Sequence, residues 1–247
     1  KVTIGDGGLF SQPMQSVVNT DISYEYGSCQ DMLSVINTAA GLFWVSQNQG
    51  KVFQIAGGTD EISRRGIKWW LQKNLPYRLT EDFPTFSLQG NPVSGIGIQC
   101  VYDNQDEILY ICKKDWKLKS NITETVVWLQ DDQFRINNQF NVTLGDGRYF
   151  DNASWTLSYN TKTKNWVSHH DWHPTLLVAS KNNFLSVARS TIWRHGVRTD
   201  LYCNYYGTQY PWEVAGYVSS VPTVESVRSV EYLLETRLYN PNNDWFS

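Results

Sequence analysis

Between Ser154 and His195 the apolar residues recur at every second position, the period of a strand rather than of a helix. Trp155, Leu157 and Tyr159 fall on one face, with Ser154, Thr156 and Ser158 on the other. The polar run Asn160–Lys164 breaks the pattern with turn-forming residues, and a second strand, Trp166–Asp171, follows before Pro174. The two read as a hairpin. Strands Thr175–Ser180 and Phe184–Ala188, separated by Lys-Asn-Asn, come next, and a short Thr191–Arg194 segment ends at Gly196. Short strands joined by tight polar turns predict an antiparallel meander, the unit of β-propeller blades and of some sandwiches.

The rest of the chain repeats this grammar with one helical interruption. Residues Lys1–Asp21, with Gly-Asp-Gly-Gly and Pro13, read as turns and an opening strand. Leu33–Thr38, Leu42–Ser46 and Lys51–Ala56 are short β-type runs suited to sequential hairpins. After Gly57-Gly58, Ser63 is a candidate N-cap, and Ile67, Trp70, Leu71 and Leu75 recur at helical spacing until Pro76 stops them. That predicts one short amphipathic helix burying the Trp69-Trp70 pair in part. Tyr77–Pro92, with several Pro, Thr and Gly residues, reads as a surface connection. A second blade-like unit then begins with a strand through Ile96 and Ile98 to Tyr102, a turn at Asp103–Asp106 and a strand Glu107–Cys112. Its remaining strands are expected to be Trp155–Tyr159 and Trp166–Asp171. Asp115–Asn152 is an excursion between them, rich in Asn, Gln and Asp, and is expected to be a subunit contact or exposed decoration. Trp212–Ser219 and Arg228–Thr236 alternate as strands. The expected fold is therefore all-β: a single β-rich domain, 1–247, of antiparallel blade-like meanders forming part of a β-propeller. About three such units can be counted, short of the four to eight that close a ring.

Two stretches carry a family resemblance. The sequence TLSYNTKTKNWVSHHDWHP, followed by KNNFLS, WRHG and YYG, resembles the tail proteins of crAss-like phages, the muzzle type in particular. The upstream run YGSCQDMLSVINTAAGLFWVSQNQGKVFQIAGGTDEISRRGIKWWLQKNL resembles the segment in which such proteins run strand, turn, strand and helix. Together they span Tyr26–Gly207. The resemblance implies a structural, non-enzymatic virion protein at the far end of a short tail. Made in the bacterial cytoplasm, it would pack against copies of itself and other tail proteins, and help gate DNA exit and engage the host. Those proteins are much longer, so a chain beginning at Lys1 and ending in NPNNDWFS is expected to be a piece of a longer polypeptide.

Composition narrows the classes. Aromatics make up 14% of the 247 residues and charged residues 18%, which excludes a disordered tail. A net charge of −3 provides no field that would draw nucleic acid or an anionic membrane, and no apolar run reaches spanning length. Cys29, Cys100, Cys112 and Cys203 show no CxxC pairing, which argues against a zinc ribbon or thioredoxin chemistry; they could form two disulfides in principle, but the resemblance implies assembly in bacterial cytoplasm and hence four buried free thiols. The sequons at Asn121, Asn141 and Asn152 would matter only in a secreted eukaryotic protein.

Four groups of residues could carry chemistry, and each has a plainer explanation. Arg194-His195-Gly196-Val197-Arg198 nearly spells the phosphohistidine signature of histidine phosphatases, but Asp200 stands where Pro is expected and no later His follows. In an extended strand His169, Asp171 and His173 share a side and could ligate zinc or nickel; an aromatic cluster at a strand end explains them better. Asp103, Asn104, Asp106 and Glu107 gather oxygen ligands as a calcium loop would, yet fit no EF-hand and suit a polar hairpin turn. The eleven tryptophans and fourteen tyrosines would suit sugar stacking, as in a tail-borne glycan binder or depolymerase, but sheet packing accounts for most of them. Trp69, Trp70, Trp116 and Trp128 are the candidate protein–protein anchors. No catalytic pair and no cofactor motif emerges.

Overall fold

The computed structural model describes residues 27–181, 183–196, 203–211 and 213, with the backbone of 238–239 and 245–246. The chain divides into two compact units, Lys1–Tyr210 and Pro211–Ser247. In the first, a 3-10 turn leads into a meander of β1 (Val35–Thr38), β2 (Gly41–Ser46), β3 (Lys51–Ile55) and β4 (Thr59–Glu61), paired in sequence order. Helices α1 (Lys68–Asn74) and α2 (Leu79–Asp82) follow. Next come β5 (Gly97–Asp103) and β6 (Ile108–Lys114), then β7 (Trp116–Leu118), β8 (Val126–Gln130), β9 (Gln133–Ile136), β10 (Phe140–Thr143) and β11 (Phe150–Asn152). The unit continues with β12 (Trp155–Asn160), β13 (Asn165–His170), β14 (Leu176–Ala179), β15 (Phe184–Ala188), β16 (Thr191–Arg194), β17 (Asn204–Tyr205) and β18 (Thr208–Gln209). In the second unit the described residues form one short ladder, β19 (Leu238–Tyr239) with β20 (Trp245–Phe246). The protein is all-β in character, its described strands lying in antiparallel sheets beside two short helices.

The organising element is the four-stranded sheet β13-β12-β6-β5, which has a core on each face. Side chains alternate along a strand. Ile98 and Tyr102 of β5, Leu109 and Ile111 of β6, and Trp155, Leu157 and Tyr159 of β12 therefore face the larger core. Val101, Tyr110 and Cys112 face the smaller one. This double burial leaves β5 and β6 buried at nearly every position, the polar Gln99, Asp103 and Lys113 included. Phe43, Val45 and Val52 of the first meander, and Leu71 and Leu75 of α1 and its end, complete one side of the larger core. At the β2–β3 turn Gly50 sits at φ 63°, and a Cβ there would lie 2.5 Å from the Gln72 Cα, so the turn and α1 meet at backbone distance. On the opposite face, β14-β15-β16 packs against β5. The buried amide of Gln99 fastens it, accepting from Leu177 N at 2.8 Å and donating to Pro174 O at 3.3 Å.

Three expectations need correction. Residues 77–92 are not a surface connection: Tyr77, Leu79, Phe83 and Phe86 are buried in the larger core, and α2 is a second helix. The Tyr77 hydroxyl donates to the buried Asp31 carboxylate at 2.7 Å, tying this segment to the start of the first meander. Nor is the excursion exposed decoration. It is inserted between paired strands β6 and β12, but Phe134, Ile136, Val142, Leu144 and Phe150 are buried in the larger core. Ser63 does not cap α1; it lies in a 3-10 turn and donates to Glu61 at 3.0 Å, and α1 starts four residues after Arg64 with no side-chain cap. Apart from Glu213, the strands expected at Trp212–Ser219 and Arg228–Thr236, and the opening segment Lys1–Asp21, lie outside the described residues.

Candidate functional site

The smaller core opens into a cleft. Trp172, in the link between β13 and β14, is 1% exposed and lies at its base. Its ring neighbours are Tyr110 (5.7 Å), His170 (5.4 Å), His195 (5.7 Å) and Tyr205, which stacks at 5.0 Å. Strand alternation in β15 sends Phe184, Ser186 and Ala188 to the same core. The β15–β16 turn at Arg189-Ser190 has φ values of 52° and 60°, the left-handed pair of a tight hairpin. This hairpin returns His195 over Phe184, ring on ring at 4.3 Å.

A short polar chain crosses the aromatic cluster. Ser186 Oγ lies 2.6 Å from His195 Nε2 and 3.0 Å from the Tyr206 hydroxyl. The pairing resembles a serine–base couple, but Ser186 is fully buried and no described carboxylate orients the imidazole, so it lacks the access and the third group that nucleophilic catalysis needs. Burial pushes His195 down to about 4, which keeps it neutral as a hydrogen-bond partner. The arrangement locks β15, β16 and the β17–β18 hairpin together.

The cleft itself has a volume of about 550 Å³ and is bounded by the β5–β6 turn, the end of β16 and the β17–β18 hairpin. Asp103 lies in its wall at 3% exposure. Its Oδ1 accepts from Gln105 N at 2.9 Å, the Asx geometry of a hairpin turn. Asn104 donates across to Lys181 O at 3.2 Å, and Glu107 takes the left-handed position at φ 57°. The four oxygen-bearing residues thus build a turn. Arg194 stands at the rim, and Asn183, with its amide oxygen turned toward the guanidinium, accepts from Nε at 3.0 Å and Nη2 at 3.2 Å.

The other sequence candidates are dispersed. His169 packs edge-on against Trp70 at 4.6 Å, whereas His170 turns to Tyr110 and Trp172 on the opposite face. The structure does not gather His169, Asp171 and His173 into a ligand set, and among the described residues no group of three or more His, Cys, Asp or Glu is placed to hold a metal ion. Val197, Arg198 and Asp200 of the phosphatase-like motif lie outside the described residues. Trp70 also packs on Trp155 at 5.2 Å, Trp116 is half-buried against the larger core, and Trp128 lies against Phe86 at 5.6 Å. Only Trp69 of the four anchors stands in solvent, 80% exposed. All four cysteines are free, but only Cys112 is fully buried, its thiol pushed up to about 12 by burial; Cys29, Cys100 and Cys203 are half-buried. Among the described residues no helix is long and apolar enough to cross a membrane.

Comparison with models of protein families finds none that matches this chain, and no curated protein matches it either.

The histidines give the fold a pH dependence. Burial holds His170 and His195 at about 4, below the ordinary 6.5, so the unfolded chain binds more protons between those values. Their contribution is complete above pH 6.5, declines as pH falls and is gone below about 4. With allowance for partial solvent contact it amounts to about 2 kcal/mol for each. His169 and His173 are shifted in the same direction. The buried carboxyls of Asp31 and Asp103, raised above 3.8, work in the opposite sense. Urea unfolding at pH 7.5 and 4.5 should therefore be compared with a His170→Gln, His195→Gln variant, in which the pH difference attributable to histidine shrinks.

Proposed function

We propose that this chain is a structural module of a short phage tail of the crAss-like, muzzle type, whose physical activity is packing against copies of itself and other tail proteins. In this reading the two four-stranded antiparallel sheets serve as blades of a propeller-like assembly, with β14–β16 as a partial third, and other sequence or other chains complete the circle. The module would sit at the distal tail, help gate genome exit and engage the host; no catalytic step is assigned to it.

One observation carries the reading. Among the described residues, the exposed large apolar side chains that lie in strands, Val35, Val127, Phe140, Val167, Val178 and Ile192, are all on edge strands: β1, β8, β10, β13, β14 and β16. Val167 is 57% and Ile192 71% exposed. Natural monomers blunt such edges with charge, proline or cover, because an unpaired apolar edge recruits further strands. Edges left apolar support burial against neighbouring subunits, and Trp69 adds an aromatic anchor of the kind that centres protein interfaces. Sedimentation tests this. The expected result is a concentration-dependent multimer that Val167→Lys or Ile192→Lys shifts toward smaller species at unchanged thermal stability; a monomer at all concentrations, indifferent to both substitutions, would count against it.

A further inference from the structure

We propose that the cleft between the β5–β6 turn and the β17–β18 hairpin is a binding site for a neutral saccharide. The inference stands apart from the packing role, since it concerns a concave surface rather than the sheet edges.

The cleft presents a carboxylate oxygen that no described protein donor occupies. Asp103 is nearly buried, and its two backbone donors, Gln105 N and Asp106 N, both go to Oδ1. Among the described residues Oδ2 has no hydrogen-bond partner, and it faces the cleft beside Gly196, where a Cβ would lie 3.9 Å from it. Solvent reaches this oxygen from the cleft, so a ligand hydroxyl can take the place of the water there and donate to it. Around this acceptor lie half-buried Trp193 and Tyr205, and deeper down Tyr110, so apolar ring surface adjoins the polar group. Their placement is fixed from below: Trp193 Nε1 donates to Ala188 O at 3.3 Å, and Tyr205 stacks on Trp172.

The charges select the class. Arg194, held by Asn183, stands against a cationic ligand, and the carboxylates of Asp103 and Asp106 stand against an anionic one. A wholly apolar molecule would leave Asp103 Oδ2 unsatisfied. What remains is a neutral molecule with apolar faces and a rim of hydroxyl donors, which stacks on Trp193 and Tyr205 while it donates to Asp103 and accepts from Arg194. The volume of about 550 Å³ falls within the range of small-molecule sites.

The test is a printed array of neutral and acidic oligosaccharides probed with the full chain, followed by fluorescence titration of any sugar retained. Asp103→Asn keeps the oxygen that receives Gln105 N and Asp106 N but replaces the free carboxylate oxygen, so the fold is retained while binding weakens at least tenfold. Tyr205→Ala should weaken the same sugar to a similar degree, with thermal unfolding measured alongside. Retention of a neutral oligosaccharide that both variants lose supports the site. Retention of no neutral sugar, binding that Asp103→Asn leaves unchanged, or preference for acidic sugars, spermidine or adenosine would overturn it.

Discussion

Asp115→Ala should destabilise the unit by about 3–5 kcal/mol, because it breaks a fully buried ion pair from one side. Lys113 and Asp115 have side chains 1% and 0% exposed and meet at 2.6 Å. The lysine ammonium spends its other donors on Asn74 O and Pro76 O, at 2.8 Å each, where α1 ends. The aspartate also accepts from Arg78 N at 2.7 Å and Leu79 N at 3.3 Å, where α2 begins, and from Trp116 N at 2.9 Å. One pair thus fastens two helices and the first turn of the excursion to β6. Burial pulls Lys113 below its ordinary range while Asp115 opposes the shift, so truncating the aspartate leaves a desolvated cation and three backbone donors without their acceptor. Lys113→Met should cost less, about 1–3 kcal/mol, since the carboxylate keeps its backbone donors. Urea unfolding checks the order, and a loss below 1 kcal/mol for Asp115→Ala would show that the clamp is not what holds the helices.

Trp172→Ala should cost a comparable amount, about 3–5 kcal/mol, by emptying the centre of the smaller core. The indole touches the rings of Tyr110, His170, Phe184, His195, Tyr205 and Tyr206, which come from four separate stretches of chain. The cavity would lie beneath the cleft, so the variant should lose near-ultraviolet circular dichroism and saccharide binding together. Trp172→Phe keeps a ring there and should lose about half as much or less. Because the larger core lies across the sheet and shares no side chain with this one, Trp172→Ala and Asp115→Ala should combine almost additively.

Strand alternation was the legible part of this chain. The period of two in 154–171 and 96–112 assigned β5, β6, β12 and β13 to one sheet despite more than forty intervening residues, and the register pairs Leu157 with Ile111 and Ile111 with Cys100. What stayed hidden lacks a period. Tyr77, Leu79, Phe83 and Phe86 are spaced by two, four and three, so neither template collects them, and α2 is four residues long without a side-chain cap. In the excursion, Phe134 and Ile136 do alternate, but the polar residues around them mask two short inward-facing strands. The cleft was seen only in pieces: Asp103 and Asp106 as a calcium loop, Arg194 and His195 as a phosphatase motif, the tyrosines as packing. Its parts come from positions 103–110, 184–196 and 203–207, and nothing short of the fold of β14–β16 onto β5 brings them to one place.

The proposed structural role in a phage tail is tested most directly by asking whether a phage genome encodes this sequence and by peptide mapping of purified virions of such a phage. The account predicts peptides from across residues 1–247, in fixed proportion to the other tail proteins and retained through high-salt washing. Their complete absence from intact virions would contradict it.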